Sequence, residues 1–179
     1  MIRAFLKRGF RRFEKRYNYD VGYMHYVADA STSAGLRLAA LPFYGQFSGP
    51  EQGQAVWAGA SLGSTVEGDC GPCVQLVVDM CLEHGVPAGA LAHCLAGRPE
   101  AAGDLGLGFR FAQAAIADDP ALDSLRHEIE TRFGKATLVA ASFAASSGRV
   151  YPVLKRGLGF GQICSKVAVS DRMIEVQQP

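Results

Sequence analysis

Cys70 and Cys73, in the run Asp69-Cys70-Gly71-Pro72-Cys73, are the residues of this chain whose type and spacing best suit chemistry. Three positions apart on a helix, two cysteines share a face with Cβ atoms about 5–6 Å apart, and small adjustments of a first turn bring them to disulfide distance. A helix N-terminus offers unpaired N–H groups and the positive end of the dipole, so a thiolate at Cys70 is stabilised there. Glu67 and Asp69 oppose a second negative charge, yet either carboxylate can take the thiol proton as a general base. Glu67 leads, because Asp69 also stands where a helix cap belongs. The competing reading is two small buried residues, which free cysteines often are. A zinc site would ordinarily show a second CxxC or an HxxxH, and the four histidines are scattered singly.

The cysteine count bears on the compartment. Five cysteines, an odd number, in a chain of 179 residues that needs no staples point to a reducing, cytoplasmic setting, where a close pair serves redox or metal chemistry. Cys81, Cys94 and Cys164 stand alone and read as core. Charge interrupts the first 17 residues where the apolar core of a secretory signal would lie, and no apolar run reaches the ~20 residues of a membrane span.

The elements that must position the pair read almost throughout with helical period. Ile2, Phe5, Leu6, Phe10, Phe13 and Tyr17 form an apolar stripe over residues 1–17 beside a basic face. That segment holds seven basic residues against Glu14, a net +6, and leaves the other 162 residues at −5. The acidic body is unsuited to nucleic acid, and none is expected as a partner. The basic helix has the look of a membrane-surface helix, but packing of its stripe on the body, with the charges solvated or paired to acidic groups, is favoured.

Asp20 caps a second helix to about Ala30, and Ser31-Thr32-Ser33 caps a third that ends before Pro42. Residues 43–53 read as loop. A small-residue helix over 54–66 carries Gly59 and Gly63, suited to a close neighbour. The segment 70–84, with Pro72 in its first turn and Gly85 and Pro87 at its stop, is the best helix of the chain. Helices follow over 87–96, 99–117, 120–133, 135–147 and 149–158. KVAVS and RMIEV alone look β-like, and the tail 171–179 reads as polar and loose. The fold class is therefore all-α, a bundle of about eight or nine helices in one domain over 18–170 behind the N-terminal helix 1–17.

Tyr17, Tyr23, Tyr26 and Trp57 are candidates for a substrate pocket, although aromatics at such spacing more often build core. The G-L-G-F-G at 157–161 lacks the preceding strand of a nucleotide site. A thioredoxin reading of C-G-P-C would need a buried strand before it, and the preceding residues are Ala/Gly-rich and helical.

The stretch from about Val56 to Ala117 resembles the carboxymuconolactone decarboxylase or AhpD-like alkylhydroperoxidase family. The likeness lies in a small-residue helix, a CxxC opening the next helix, a Gly85-Val86-Pro87 turn, a short helix ending at Gly97, and a longer helix. Residues 135–160 resemble the late helix of that fold, and RYNYDVGYMHYVADAS, DCGPCVQLVVDM and LGFRFAQAAIADDP look like one branch of it. The resemblance implies an AhpD-like helical fold, homo-oligomers, no bound cofactor, and a pair at Cys70 and Cys73 that cycles between dithiol and disulfide. It also implies a relay of Glu and His. The matching positions here hold Ala58 and Val77, so Glu67 is the local substitute, with Asp69 and His25 as further relay candidates. His84 lies ~16 Å along the helix from Cys73.

The expected function is thiol-dependent peroxide reduction, with a peroxide or disulfide as substrate and an external thiol reductant. Alternatives are a redox-sensing or binding oligomer of the same fold, a thioredoxin-like disulfide oxidoreductase activity, and lactone decarboxylation, which would not need the thiols. Which cysteine attacks and which resolves is open at this level.

Overall fold

A computed structural model describes residues 1–161 and 166–177. Within them the chain forms ten α-helices and one β-hairpin: α1 (Ile2–Tyr17), α2 (Gly22–Ala30), α3 (Thr32–Gly45), α4 (Gln54–Glu67), α5 (Gly71–Glu83), α6 (Ala88–Leu95), α7 (Gly103–Ala117), α8 (Leu122–Phe133), α9 (Lys135–Ser147), α10 (Val150–Gly157), β1 (Lys166–Val169) and β2 (Arg172–Glu175). The fold is an all-α bundle. Among the described residues no helix is long and apolar enough to cross a membrane. Cys164, read above as core, lies outside them.

The centre of the bundle is the α4–α7 pair, whose axes approach closely because glycine removes the side chains between them. A Cβ added at Gly59 would land on the carbonyl oxygen of Leu105, and one at Gly108 on that of Val56. Around this seam lie two apolar clusters. One joins α4, α5, α6 and α7 to the hairpin through Leu62, Val78, Leu91 and Val167; the other joins α4 and α7 to α8 and α9 through Val56, Leu107, Ile129 and Ala141. A third cluster holds α1, α2 and α3 against the start of α5, and both Cys70 and Cys73 belong to it.

Several elements differ from the sequence reading. α3 continues through Pro42 to Gly45, since a proline in a last turn forfeits one hydrogen bond while the Gln46 N–H still closes on the Pro42 carbonyl at 2.8 Å. The irregular part of 43–53 thus shrinks to 46–50, followed by a 3-10 turn at Glu51–Gly53. The stretch read as a loose tail supplies β2, paired antiparallel to β1 in the register Val167↔Ile174. Gln75 of α5 pins the hairpin with both ends of its amide, donating to the Ala168 carbonyl at 3.0 Å and accepting from the Ala168 N–H at 2.7 Å. Such a long-range side-chain clamp leaves no local pattern in sequence.

Helix α1 packs as expected through Leu6 and Phe10, and its ion pairs reach the acidic body at Lys7–Asp29 and Arg16–Glu83. Phe5 does not join that packing and is 78% exposed, because it sits ~140° around the helix from Phe10.

Candidate functional site

The approach to the cysteines is fixed by backbone conformation. α4 ends at Glu67, and Asp69 takes the left-handed region (φ 49°), which a short polar side chain tolerates. That turn leaves Cys70 extended (φ −135°, ψ 94°) as the N-cap of α5, with its carbonyl accepting from the Cys73 N–H at 2.9 Å. Asp69 is therefore not the cap that the sequence suggested, because a cap needs the extended backbone that only Cys70 has. The sulfurs of Cys70 and Cys73 are joined as a disulfide across Cα atoms 5.3 Å apart.

Both cysteines are buried, at 3% and 4% exposure, but they face different surroundings. Cys73 lines a cavity of about 1070 Å³ whose walls are mainly apolar, with Trp57, Ala58 and Val77 among them; Cys70 does not line it. Of the four aromatic pocket candidates, Tyr17, Tyr23 and Trp57 line the cavity, whereas Tyr26 is exposed and packs on Phe160. Ala58 and Val77 thus stand on the cavity wall without a proton-carrying group.

The carboxylate and histidine candidates sit elsewhere. Glu67 is half-buried; desolvation pushes its carboxyl above the ordinary range, against the opposing charge of Arg149. Among the described residues no hydrogen bond or ion pair links it to either sulfur. His25 packs its ring edge-on against Phe10, 5.9 Å between centroids, and its buried Nδ1 has no hydrogen-bond partner there. His84 turns back onto its own helix, Nδ1 to the Met80 carbonyl at 2.7 Å.

The polar neighbour of the pair is Tyr19, which sequence reasoning missed. Its hydroxyl lies 3.6 Å from Cys73 Sγ and accepts from Lys155 Nζ at 3.5 Å. Two local turns hold Tyr19 in place, and the N-cap of α2 is Val21 rather than the Asp20 that the sequence suggested. Asn18 ends α1 in the left-handed conformation with its N–H on the Glu14 carbonyl, and Asp20 opens α2 by accepting from the Gly22 N–H at 2.7 Å. Lys155 arrives from α10, which docks beside the cysteine turn where Pro152 meets Gly68. Its ammonium position is 4.8 Å from the centre of the Tyr19 ring and 5.5 Å from that of Tyr23. Burial lowers the Lys155 pKa, only partly offset by Asp20, and raises those of Tyr19 and Tyr23. Of these two residues only Asp20 was singled out in the sequence; Asn18 was not, and a lone lysine 136 positions away gave no signal.

Searches against family models, curated proteins and solved structures each find no match to this chain. Fold and site therefore define the class by themselves: a helical bundle whose CxxC pair, compatible with redox chemistry, opens on one side to an apolar cavity.

The remaining described cysteines, Cys81 and Cys94, are buried free thiols, and desolvation pushes each up to about 12. Cys81 lines the same cavity as Cys73, so access alone does not separate the two. In the reduced protein at pH 7, iodoacetamide should modify Cys73 at least about 100-fold faster than Cys81, as peptide mapping would show. Comparable rates would remove the case for an activated thiol.

Proposed function

We propose that this protein is a thiol-dependent peroxidase of AhpD-like type, reducing organic hydroperoxides as Cys70 and Cys73 cycle between dithiol and disulfide. One observation carries the reading: Cys73, bonded to Cys70, is the cysteine of the pair that lines a cavity large and apolar enough for an organic substrate. The Cys73 thiolate attacks the terminal peroxide oxygen and the O–O bond breaks, giving an alcohol and a sulfenic acid. Cys70 then attacks that sulfur and expels water, and an external dithiol returns two electrons to the disulfide. Two thiols and one hydroperoxide thus give one disulfide, one alcohol and one water.

Phe5, exposed and lining the cavity, and Phe43 of α3, also exposed, support the homo-oligomer that the resemblance implies. The test is stoichiometric. Reduced protein mixed with cumene hydroperoxide should lose two thiols per cumyl alcohol formed, and faster than with hydrogen peroxide at equal concentration. Thiols that persist through many equivalents of peroxide would favour the redox-inert binding module. Thiols that respond only to a disulfide would move the substrate to that class.

A further inference from the structure

We propose that Tyr19 and Lys155 are the proton relay of Cys73, with Tyr19 touching the reacting sulfur and Lys155 a positioning residue that acts through it. The inference rests on the reading of Cys70 and Cys73 as a peroxide-reducing pair, and deepens it by supplying the proton path that Ala58 and Val77 do not provide.

The placement of Lys155 is the reason. It is 1% exposed, and among the described residues no ion pair joins it to a carboxylate. A buried lysine without a counter-ion is costly as an ammonium, and an apolar side chain would fill the same space more cheaply. What it has instead is a chain of contacts: Nζ to the Tyr19 hydroxyl at 3.5 Å, and that hydroxyl to Cys73 Sγ at 3.6 Å. Such an arrangement fits a neutral amine waiting for a proton. The other ionisable groups around it are Asp20 from the α1–α2 turn, Tyr23 from α2 and Tyr151 from α10. Asp20 favours the protonated lysine, while burial holds both phenols protonated.

The proton balance closes. In the dithiol form the Cys73 proton passes to the Tyr19 oxygen as the Tyr19 proton passes to the Lys155 amine, leaving a thiolate, a neutral phenol and an ammonium. When the thiolate breaks the O–O bond, the departing alkoxide receives the proton back along the same path in reverse. The lysine is then neutral again, ready for the next cycle.

The test uses the full chain in a Cys70→Ser background, where Cys73 cannot form the disulfide, and follows its alkylation by iodoacetamide against pH. Tyr19→Phe removes only one oxygen, and Lys155→Met replaces a buried amine by an apolar chain of similar length; circular dichroism would establish that each folds. Both should slow alkylation at pH 7 about tenfold and move the midpoint of the profile to higher pH, with rates converging at alkaline pH. A structural role alone would not displace the midpoint. A profile that stays put in both folded variants overturns the relay. If the profile moves while the protein with both cysteines consumes no hydroperoxide, the relay stands and the peroxidase reading falls.

Discussion

Cys73→Ser is expected to bring hydroperoxide turnover down to the buffer rate, a loss on the order of 10³-fold or more, whereas Cys70→Ser should still consume one equivalent of peroxide and then stall. The asymmetry follows from the surroundings of the two cysteines. Cys73 lines the cavity and contacts the Tyr19 hydroxyl, the two requirements of the attacking thiol in the proposed reaction; Cys70, the N-cap of α5, does neither. Without Cys70 the sulfenic acid on Cys73 has no partner to condense with and persists. Dimedone should therefore label position 73 in Cys70→Ser after one addition of cumene hydroperoxide, and should find nothing at position 70 in Cys73→Ser. Serine is nearly isosteric, and at position 73 its hydroxyl can hydrogen-bond to Tyr19, so neither change should unfold the protein. Label on Cys70 would reverse the assignment of attacking and resolving thiols, which sequence alone left open.

The parts of the molecule that sequence exposed are those written in local pattern. The capping residue Ser31, the Pro72 start of α5 and the glycines at 59 and 63 each state a nearby conformational need, and the helices stand where those signals put them. β1 and β2 likewise match KVAVS and RMIEV, but the hydrogen bonds that pin them to α5 come from Gln75, 93 positions from its partner. The site divides in the same way. Cys70 and Cys73 announce themselves by spacing, while Tyr19 and Lys155 come together only because α1 and α10 both pack at the mouth of α5. Reasoning confined to the motif therefore favoured Glu67, the nearby carboxylate without a capping role, although the group that reaches the sulfur is a phenol 54 residues away. Asp69 misled for a different reason. Capping statistics concern side-chain type, and here the left-handed turn at Asp69 hands the cap position to the cysteine.

Gly108→Ala and Gly59→Ala should each destabilise the protein by at least about 2 kcal/mol, although alanine is ordinarily the better helix residue by roughly 1 kcal/mol. Each added methyl group would overlap a backbone carbonyl of the facing helix, Val56 in one case and Leu105 in the other, and backbone cannot rotate away as a side chain can. Relief requires α4 and α7 to separate, which opens both apolar clusters that share this seam. For a chain of this size the expected fall in Tm is about 4–8 °C. Gly9→Ala is the internal control. Gly9 lies within α1 with no atom within 4 Å of its added Cβ, so that change should stabilise the protein by about 0.5–1 kcal/mol. The double variant Gly59→Ala/Gly108→Ala should lose less than the two single losses together, since the first methyl already forces the helices apart and makes room for the second. Thermal unfolding of the four variants would decide the matter, and a Gly59→Ala protein as stable as Gly9→Ala would mean that α4 and α7 are not in contact at this seam.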